Sequence, residues 1–223
     1  MLSREQISAN FEAVKKRIAD ACQRTGRDPS AVTLVAVTKT FGAEAATAAI
    51  AAGATNIGEN RVQEARDKKP SVDGTARWHL IGHLQSNKAK DAVRLFDVIE
   101  TIDSVDLARK VANAAVREGK RPEVLLEVNI GREEQKSGAD PDSVAGLVKE
   151  IAPIEGISLR GLMAIPPHGT PEETRPWFRE LRKLRDATGL PELSMGMTED
   201  FEVAIEEGAT IVRVGRAIFG ARD

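Results

Sequence analysis

The sequence contains no tyrosine, a single cysteine and only three histidines among its 223 residues. Cys22 alone excludes a disulfide within the chain, and scattered histidines without an HExxH pattern give no recognisable metal-ligand set. No apolar run approaches the length of a membrane span, and the polar N-terminus lacks the apolar segment of a signal peptide. These absences predict a cytoplasmic protein with no metal site and no membrane contact.

The sequence also lacks an excess of charge of either sign. The chain carries 32 basic and 34 acidic residues, with a formal net charge of −2. Because the two signs are interspersed, they form no polybasic field that would attract nucleic acid or anionic lipid. We therefore expect no nucleic-acid partner.

Short apolar or β-branched runs recur along the chain and alternate with helical or loop segments. Before the first run, Ser3 and Gln6 form a capping box for a helix with an apolar face, and Gly26 ends it. The eight runs begin near Thr33, Thr55, Trp78, Val98, Val124, Ile157, Leu193 and Thr210. With no linker between them, they predict one α/β domain over residues 1–223, a single-domain (β/α)8 TIM barrel with an extra N-terminal helix. An open doubly wound sheet is the alternative.

Residues at the helix boundaries refine this prediction. Ser104 is placed to cap a helix that ends before Gly119, and Thr198 is placed to cap the last long helix, which ends near Gly208. A further helix ends before Gly189, and Pro176 leaves its start open because proline suits a first turn but breaks an interior.

Lys39 follows the first apolar run, Leu34–Thr38, and so falls at the C-terminal end of a barrel strand, where active sites lie. A lysine there either reaches water or has a lowered pKa that frees its amine as a nucleophile. Considered alone, a lysine at the end of a strand is more often solvated than reactive.

The ends of the last two strands contain groups suited to phosphate binding, at the positions where barrels often hold this anion. Ser194 and Thr198 offer hydroxyl groups, and Gly215 permits close approach before Arg216. The alternative is an ordinary turn capped by Thr198, followed by a plain strand exit at Gly215. A lysine facing a phosphate anchor across one barrel mouth indicates pyridoxal 5′-phosphate.

Motifs along nearly the whole chain are similar to those of the pyridoxal phosphate homeostasis protein family, the YggS-like or proline synthase co-transcribed proteins. They are Val37–Thr40, Gly58–Asn60, Trp78–Gly82, Leu84–Lys88, Lys136–Gly138, Gly161–Met163, Leu193–Thr198 and Val212–Gly215. The resemblance implies a barrel like the N-terminal domain of alanine racemase, with pyridoxal phosphate held as an imine on Lys39. After Gly58–Asn60 this chain has Arg61, where some relatives have tyrosine.

The resemblance also bears on the other residues of the cofactor site. Together with the groups at the strand ends, the residues expected to bind the cofactor are Lys39, Asn60, Ser194, Thr198, Arg213, Gly215 and Arg216. Arg213 shares a strand face with Gly215 and is placed either near the pyridine nitrogen or in a salt bridge inside the barrel. Asn60 either contacts the ring or caps the next helix.

The resemblance implies cofactor homeostasis rather than robust catalysis. Family members are thought to bind, buffer or deliver the cofactor, with effects on amino-acid and keto-acid balance. The partners implied are pyridoxal phosphate and apo-enzymes that receive it. Whether the chain is a monomer or a weak homodimer stays open, as does slow turnover.

Three alternatives remain. The first is a pyridoxal phosphate-dependent amino-acid racemase, but alanine racemases take a tyrosine base from a second domain, whereas this sequence lacks tyrosine and ends at Asp223. His83 at the mouth is the better substitute base, since His79 reads as a core residue and His168 as exposed. The others are a Schiff-base aldolase for a sugar phosphate and a non-catalytic partner-binding protein.

Overall fold

A computed structural model describes residues 2–221 as a closed barrel of eight parallel strands, each paired with the next in sequence. The strands are β1 (Thr33–Val37), β2 (Asn56–Glu59), β3 (Arg77–Leu80), β4 (Val98–Ile102), β5 (Glu123–Glu127), β6 (Ser158–Met163), β7 (Glu192–Ser194) and β8 (Ile211–Val214). The barrel prediction is confirmed, and the open sheet is wrong because β8 pairs with β1 along Thr33–Ala36. Of the predicted domain, residues 1, 222 and 223 lie outside the described part.

Helices follow the strands and cover the outside of the barrel. They are α1 (Arg4–Arg24), α2 (Ala43–Ala51), α3 (Val62–Lys68), α4 (Ala89–Leu95), α5 (Val105–Arg117), α6 (Val144–Ile151), α7 (Pro171–Thr188), α8 (Phe201–Glu206) and α9 (Arg216–Phe219). Among the described helices, none has the length and apolar character that crossing a membrane requires.

The extra N-terminal helix α1 is confirmed together with its capping box. The Gln6 amide N–H donates to Ser3 Oγ, and the Ser3 amide N–H donates to Gln6 Oε1, so two otherwise unsatisfied donors of the first turn are paired. The predicted apolar face, Ile7, Phe11, Val14 and Ile18, is buried. This face packs α1 onto the barrel, where the helix contacts α2, α8 and α9.

Buried side chains form two separate layers, one between the strands and the helices and one inside the barrel. A large apolar layer lies between the strands and the helices, while the apolar cluster inside the strands has only seven buried members, Val35, Val37, Ile81, Val98, Leu125, Met163 and Ile211. Polar side chains fill much of the remaining inner space, since Asn56, His79, Glu100, Ser194 and Arg213 are all buried. Because buried polar groups require partners, these side chains form a hydrogen-bonded network inside the barrel in place of a wholly apolar core.

The starts of three helices can be compared with the sequence prediction. Thr198 does not cap a long helix: α8 begins at Phe201 and spans six residues. The Asp200 carboxylate accepts a hydrogen bond from the Met197 amide at 2.7 Å. This bond closes residues 197–200 as a tight turn, so the helix begins only after them. Pro176 lies inside α7, which starts five residues earlier at Pro171 behind a Thr170 capping box. Ser104 caps α5 as predicted.

Candidate functional site

A cavity of about 510 Å³ opens at the C-terminal ends of the strands. Six of the seven predicted site residues line it: Lys39, Asn60, Thr198, Arg213, Gly215 and Arg216. Further lining comes from Lys136 and from the loop after β6, residues 165–169. The strand order explains this convergence, because β1, β2, β7 and β8 are consecutive around the closed barrel.

Lys39 is half-buried in a turn between β1 and α2. The Phe41 amide donates to the Thr38 carbonyl at 3.1 Å and closes this turn, and Thr40 adopts a φ of 70°. A positive φ is uncommon for a β-branched residue, so surrounding contacts must impose this turn. The backbone that carries Lys39 is therefore held in one conformation.

Gly215, which precedes the short helix α9, lines the same cavity as Lys39. A Cβ on Gly215 would lie 3.2 Å from the Val37 carbonyl oxygen, so glycine allows the ends of β8 and β1 to approach closely. The Arg216 guanidinium is on the exposed rim, where it pairs with Glu199 at 3.0 Å. Since the first N–H groups of a helix have no acceptor within it, α9 can offer backbone donors as well as charge.

Thr198 lies in the turn after β7, on the same side of the cavity as Gly215. Gly196 begins this turn with a φ of 90°, and a Cβ there would come within 2.9 Å of the Phe201 backbone. Glycine is therefore required to bring the turn down onto α8, and the turn in turn places Thr198 at the cavity. Thr198 and Gly215 thus lie at one cavity, and phosphate binding by the hydroxyl and the backbone there stays a prediction.

Arg213 is the buried cation of the cavity. Its side chain donates to the Ser194 hydroxyl at 2.5 Å and to the Ala164 carbonyl at 3.0 Å, and it lies 3.7 Å from the Glu100 carboxylate. The salt bridge predicted as one alternative for Arg213 is therefore present, and the residue also lines the cavity, where a contact with a pyridine nitrogen stays a prediction.

Glu100 balances this buried charge. Its carboxylate accepts hydrogen bonds from His79 Nδ1 at 2.7 Å and from the Ser194 hydroxyl at 2.5 Å. Burial alone would raise the pKa of Glu100, but the hydrogen bond from His79 and the nearby charges of His79 and Arg213 outweigh it, so this pKa lies below its usual value. Glu100 is thus an anion fixed beneath the cavity floor.

Ser194 does not line the cavity as the sequence suggested. It is fully buried, and its hydroxyl is already engaged with Glu100 and Arg213. The physical reason is its orientation, because Ser194 points into the barrel on β7 whereas Thr198 lies beyond the strand end. Ser194 is therefore placed to orient Arg213 rather than to bind phosphate directly.

His79 and Asn60 also resolve open alternatives. His79 is buried and hydrogen-bonded on both ring nitrogens, to Glu100 and at 3.0 Å to Asn56 Oδ1, which matches the core role expected for it. Asn60 does not cap α3, whose N-cap is Arg61, and instead lines the cavity. His83 approaches Ser137 at 3.3 Å on the β3 side of the mouth, and His168 is exposed as predicted but borders the cavity.

Glu127 is a second acid of the barrel interior, on the same strand face as the inner residue Leu125. Its Oε2 is buried without a hydrogen-bond partner among the described residues. Burial and the negative charge of Asp103 raise its pKa to about 7, and the Arg213 charge only partly opposes this. Glu127 therefore takes up a proton in the folded protein at pH values where the unfolded chain has already lost it.

This raised pKa predicts a loss of stability with rising pH. Between the ordinary pKa of 4.5 and about 7, the folded state binds the proton more tightly, so the free energy of unfolding falls and then levels off. We expect the stability of Glu127→Gln relative to the parent to rise by about 2–3 kcal/mol between pH 4, where both states of the parent hold the proton, and pH 8. Urea unfolding of both proteins at the two pH values measures this, and an equal difference at both would contradict it.

Several residues of the site were not found from the sequence. Glu100 and Glu127 lie within apolar strands, and only the inward face of a correctly phased strand would have revealed them. Lys136 appeared in a motif without a role; its amine donates to the Pro166 carbonyl at 3.0 Å and so joins the loops after β5 and β6. The described residues contain no group of three or more potential metal ligands.

Comparison with known proteins extends these findings. The family model for the alanine racemase N-terminal domain matches residues 4–223. A pyridoxal phosphate homeostasis protein of Aquifex aeolicus is 42% identical over 217 residues, covering 94% of this chain and 95% of that protein. One from Pseudomonas aeruginosa is 41% identical over 221 residues, covering 97% and 96%.

Solved structures agree with the fold. An unknown protein from Bifidobacterium adolescentis superimposes with a TM-score of 0.90 at 41% identity, covering 98% of each chain. PipY of Synechococcus elongatus PCC7942 with pyridoxal phosphate bound gives 0.81 at 37% identity, covering 93% of this chain and all of that one. An alanine racemase of Clostridium difficile gives 0.72 at 15% identity, covering 96% of this chain and 57% of the racemase, which shows a shared barrel only. By its matched family model and its near full-length relatives, the chain belongs to the pyridoxal phosphate homeostasis protein family, within the alanine racemase N-terminal domain group.

Proposed function

We propose that this chain is a cytoplasmic pyridoxal phosphate-binding protein that holds the cofactor on Lys39 and buffers or delivers it to apo-enzymes, thereby affecting amino-acid and keto-acid balance. The observation that carries the proposal is the convergence of Lys39 with Thr198, Gly215 and Arg216 on one cavity at the mouth of the barrel. A relative with the same fold, PipY, has pyridoxal phosphate bound in its structure.

The residues present suit this cofactor. Its phosphate needs several converging donors, and Thr198, Gly215 and the start of α9 provide them beside Lys39. A Cβ on Gly215 would crowd the Val37 carbonyl oxygen at 3.2 Å, so glycine favours the close approach of the two strand ends and leaves its own backbone at the cavity. Asn60 and Arg213 border the rest of the cavity.

When bound, pyridoxal phosphate supplies an aldehyde whose carbon bonds reversibly to a primary amine, with the aldehyde oxygen and both amine protons leaving as water. Lys39 supplies that amine. Thr198, Gly215 and Arg216 would hold the phosphate end and so would fix its distance from Lys39 Nζ. Arg213, paired with Glu100, would disfavour a proton on a ring nitrogen placed near it, which suits a carrier or a racemase better than an enzyme that needs a long-lived carbanion.

A racemase function is less well supported. Two of the three histidines are not available as a base at the cavity, since His83 does not line it and His79 is engaged inside the barrel. The sequence has no tyrosine to replace them. The exposed His168 borders the outer cavity and is the remaining candidate for slow proton transfer.

The proposal is tested by loading the purified protein with pyridoxal phosphate, removing free ligand and recording visible absorption and intact mass with and without borohydride. We expect one cofactor per chain, fixed by reduction, and transfer from the unreduced protein to the apo-form of a pyridoxal phosphate enzyme. Exchange of the α-hydrogen of alanine in D₂O tests racemase chemistry in the same sample. Absence of bound cofactor would overturn the proposal, and rapid exchange would favour the racemase.

A further inference from the structure

Helix α3 lies beside the turn that carries Lys39 and contacts that turn through two side chains. Glu64 and Lys68 are four residues apart, so both project from one face of the helix. One reaches the peptide after Lys39, and the other reaches the peptide before it. Neither residue belongs to the cavity lining, and the proposed phosphate and ring contacts do not use them.

Lys68 secures the turn on the N-terminal side. Its amine donates to the Thr38 carbonyl at 2.7 Å and also contacts the Glu59 carboxylate, and its side chain is only 7% exposed. The Thr38 hydroxyl donates to the same carboxylate at 2.5 Å, so Thr38 is bound through both its backbone and its side chain. A lysine buried to this extent is costly unless it is paired, which indicates a specific role for the contact.

Glu64 secures the turn on the C-terminal side. Its Oε2 accepts a hydrogen bond from the Thr40 amide at 3.1 Å. Thr40 is one of two non-glycine residues in the described chain with a positive φ, a conformation that is unfavourable for a β-branched residue. The carboxylate therefore helps to hold a backbone conformation that the local sequence disfavours.

We propose that α3 is a clamp for the lysine-bearing turn, and that Glu64 and Lys68 are positioning residues which aim Lys39 Nζ at the aldehyde of pyridoxal phosphate. This inference rests on the proposed function. A long flexible side chain reaches a defined point only if its backbone origin is fixed, and the clamp fixes the peptide units on both sides of Lys39.

The clamp makes a selective prediction about two ligands that differ at one group. Pyridoxal 5′-phosphate carries the aldehyde, whereas pyridoxine 5′-phosphate has an alcohol there and cannot bond to an amine. Both ligands carry the same 5′-phosphate. Loosening the turn should therefore weaken capture of the aldehyde and leave binding of the alcohol nearly unchanged.

The experiment compares Lys68→Met, Glu64→Ala and Glu64→Gln with the parent protein. Asp67→Asn is the matched control, because Asp67 lies on the same helix but is exposed. Dissociation constants for both ligands, the rate of borohydride trapping and the melting temperature without ligand are measured for each. Lys68→Met and Glu64→Ala are expected to slow trapping and weaken aldehyde binding by about tenfold or more. Glu64→Gln keeps an acceptor for the Thr40 amide and should retain most of the parental rate.

The possible outcomes separate the clamp from the function on which it rests. If the parent itself captures no cofactor, the proposed function fails. If the parent captures it and the two clamp variants trap it at the parental rate, the clamp is overturned. If the variants lose both ligands equally along with thermal stability, α3 has a general structural role and positioning is again overturned. Glu64→Ala decides the matter should Lys68→Met fail to fold, since Glu64 is partly exposed.

Discussion

Replacing Lys39 with alanine is expected to abolish covalent retention of pyridoxal phosphate and to leave weak, reversible binding. Lys39 provides the amine in the proposed site, while the phosphate donors at Thr198, Gly215 and Arg216 remain. Reduction with borohydride followed by peptide mass analysis should change from about one adduct per chain to none, because the bond requires a primary amine held at the aldehyde. Pyridoxine 5′-phosphate should bind the variant about as well as the parent.

Lys16→Ala is a suitable control for Lys39→Ala. Lys16 is exposed on α1 and pairs with Asp20, remote from the cavity lining. It should retain the full adduct on Lys39. An adduct of parental yield on another lysine in Lys39→Ala would contradict the assignment, as would an unchanged yield of unmodified Lys39 peptide in the parent.

Removing Glu100 is expected to cause the largest loss of stability. Glu100 and Arg213 are both buried, and Glu100→Ala leaves the Arg213 guanidinium inside the barrel without its counter-charge. Breaking a buried pair on one side typically costs about 3–5 kcal/mol, since an uncompensated charge stays behind. Urea unfolding monitored by far-UV circular dichroism measures the change in the free energy of unfolding.

The double variant Glu100→Leu with Arg213→Leu provides the test of this explanation. Replacing both members of a buried pair by apolar residues often restores stability, so the double variant should be more stable than Glu100→Leu alone. Additive losses would show that the cost comes from packing and not from the unpaired charge. The double variant should also bind pyridoxal phosphate more weakly, since Arg213 lines the cavity.

The sequence was informative where periodicity and strand ends carry the signal. Eight apolar runs placed all eight strands, and the polar residues after them brought Lys39, Thr198 and Gly215 to one mouth. Side-chain direction was less accessible: Ser194 and Thr198 both follow the seventh run, yet one points into the barrel and the other borders the cavity. The register that separates them depends on pairing with β6 and β8.

The contacts of α3 show a second limit of sequence reasoning. Seven residues are too few for a clear helical period, and nothing in the local sequence distinguishes Lys68 from a lysine at the surface. Its burial follows from where the α3 face meets the end of β2, at the fully buried Glu59. A local sequence pattern contains no information on that distant pairing.

The junction between β8 and β1 has a consequence for how the protein matures. Lys39 follows the first strand to be synthesised, and Gly215 follows the last, so the two halves of the proposed site meet only where the barrel seals. Such pairing of the chain's extremes is among the slowest contacts to form. A ligand that contacts both sides of this junction would bind only the fully folded protein and would shift the folding equilibrium toward it by mass action.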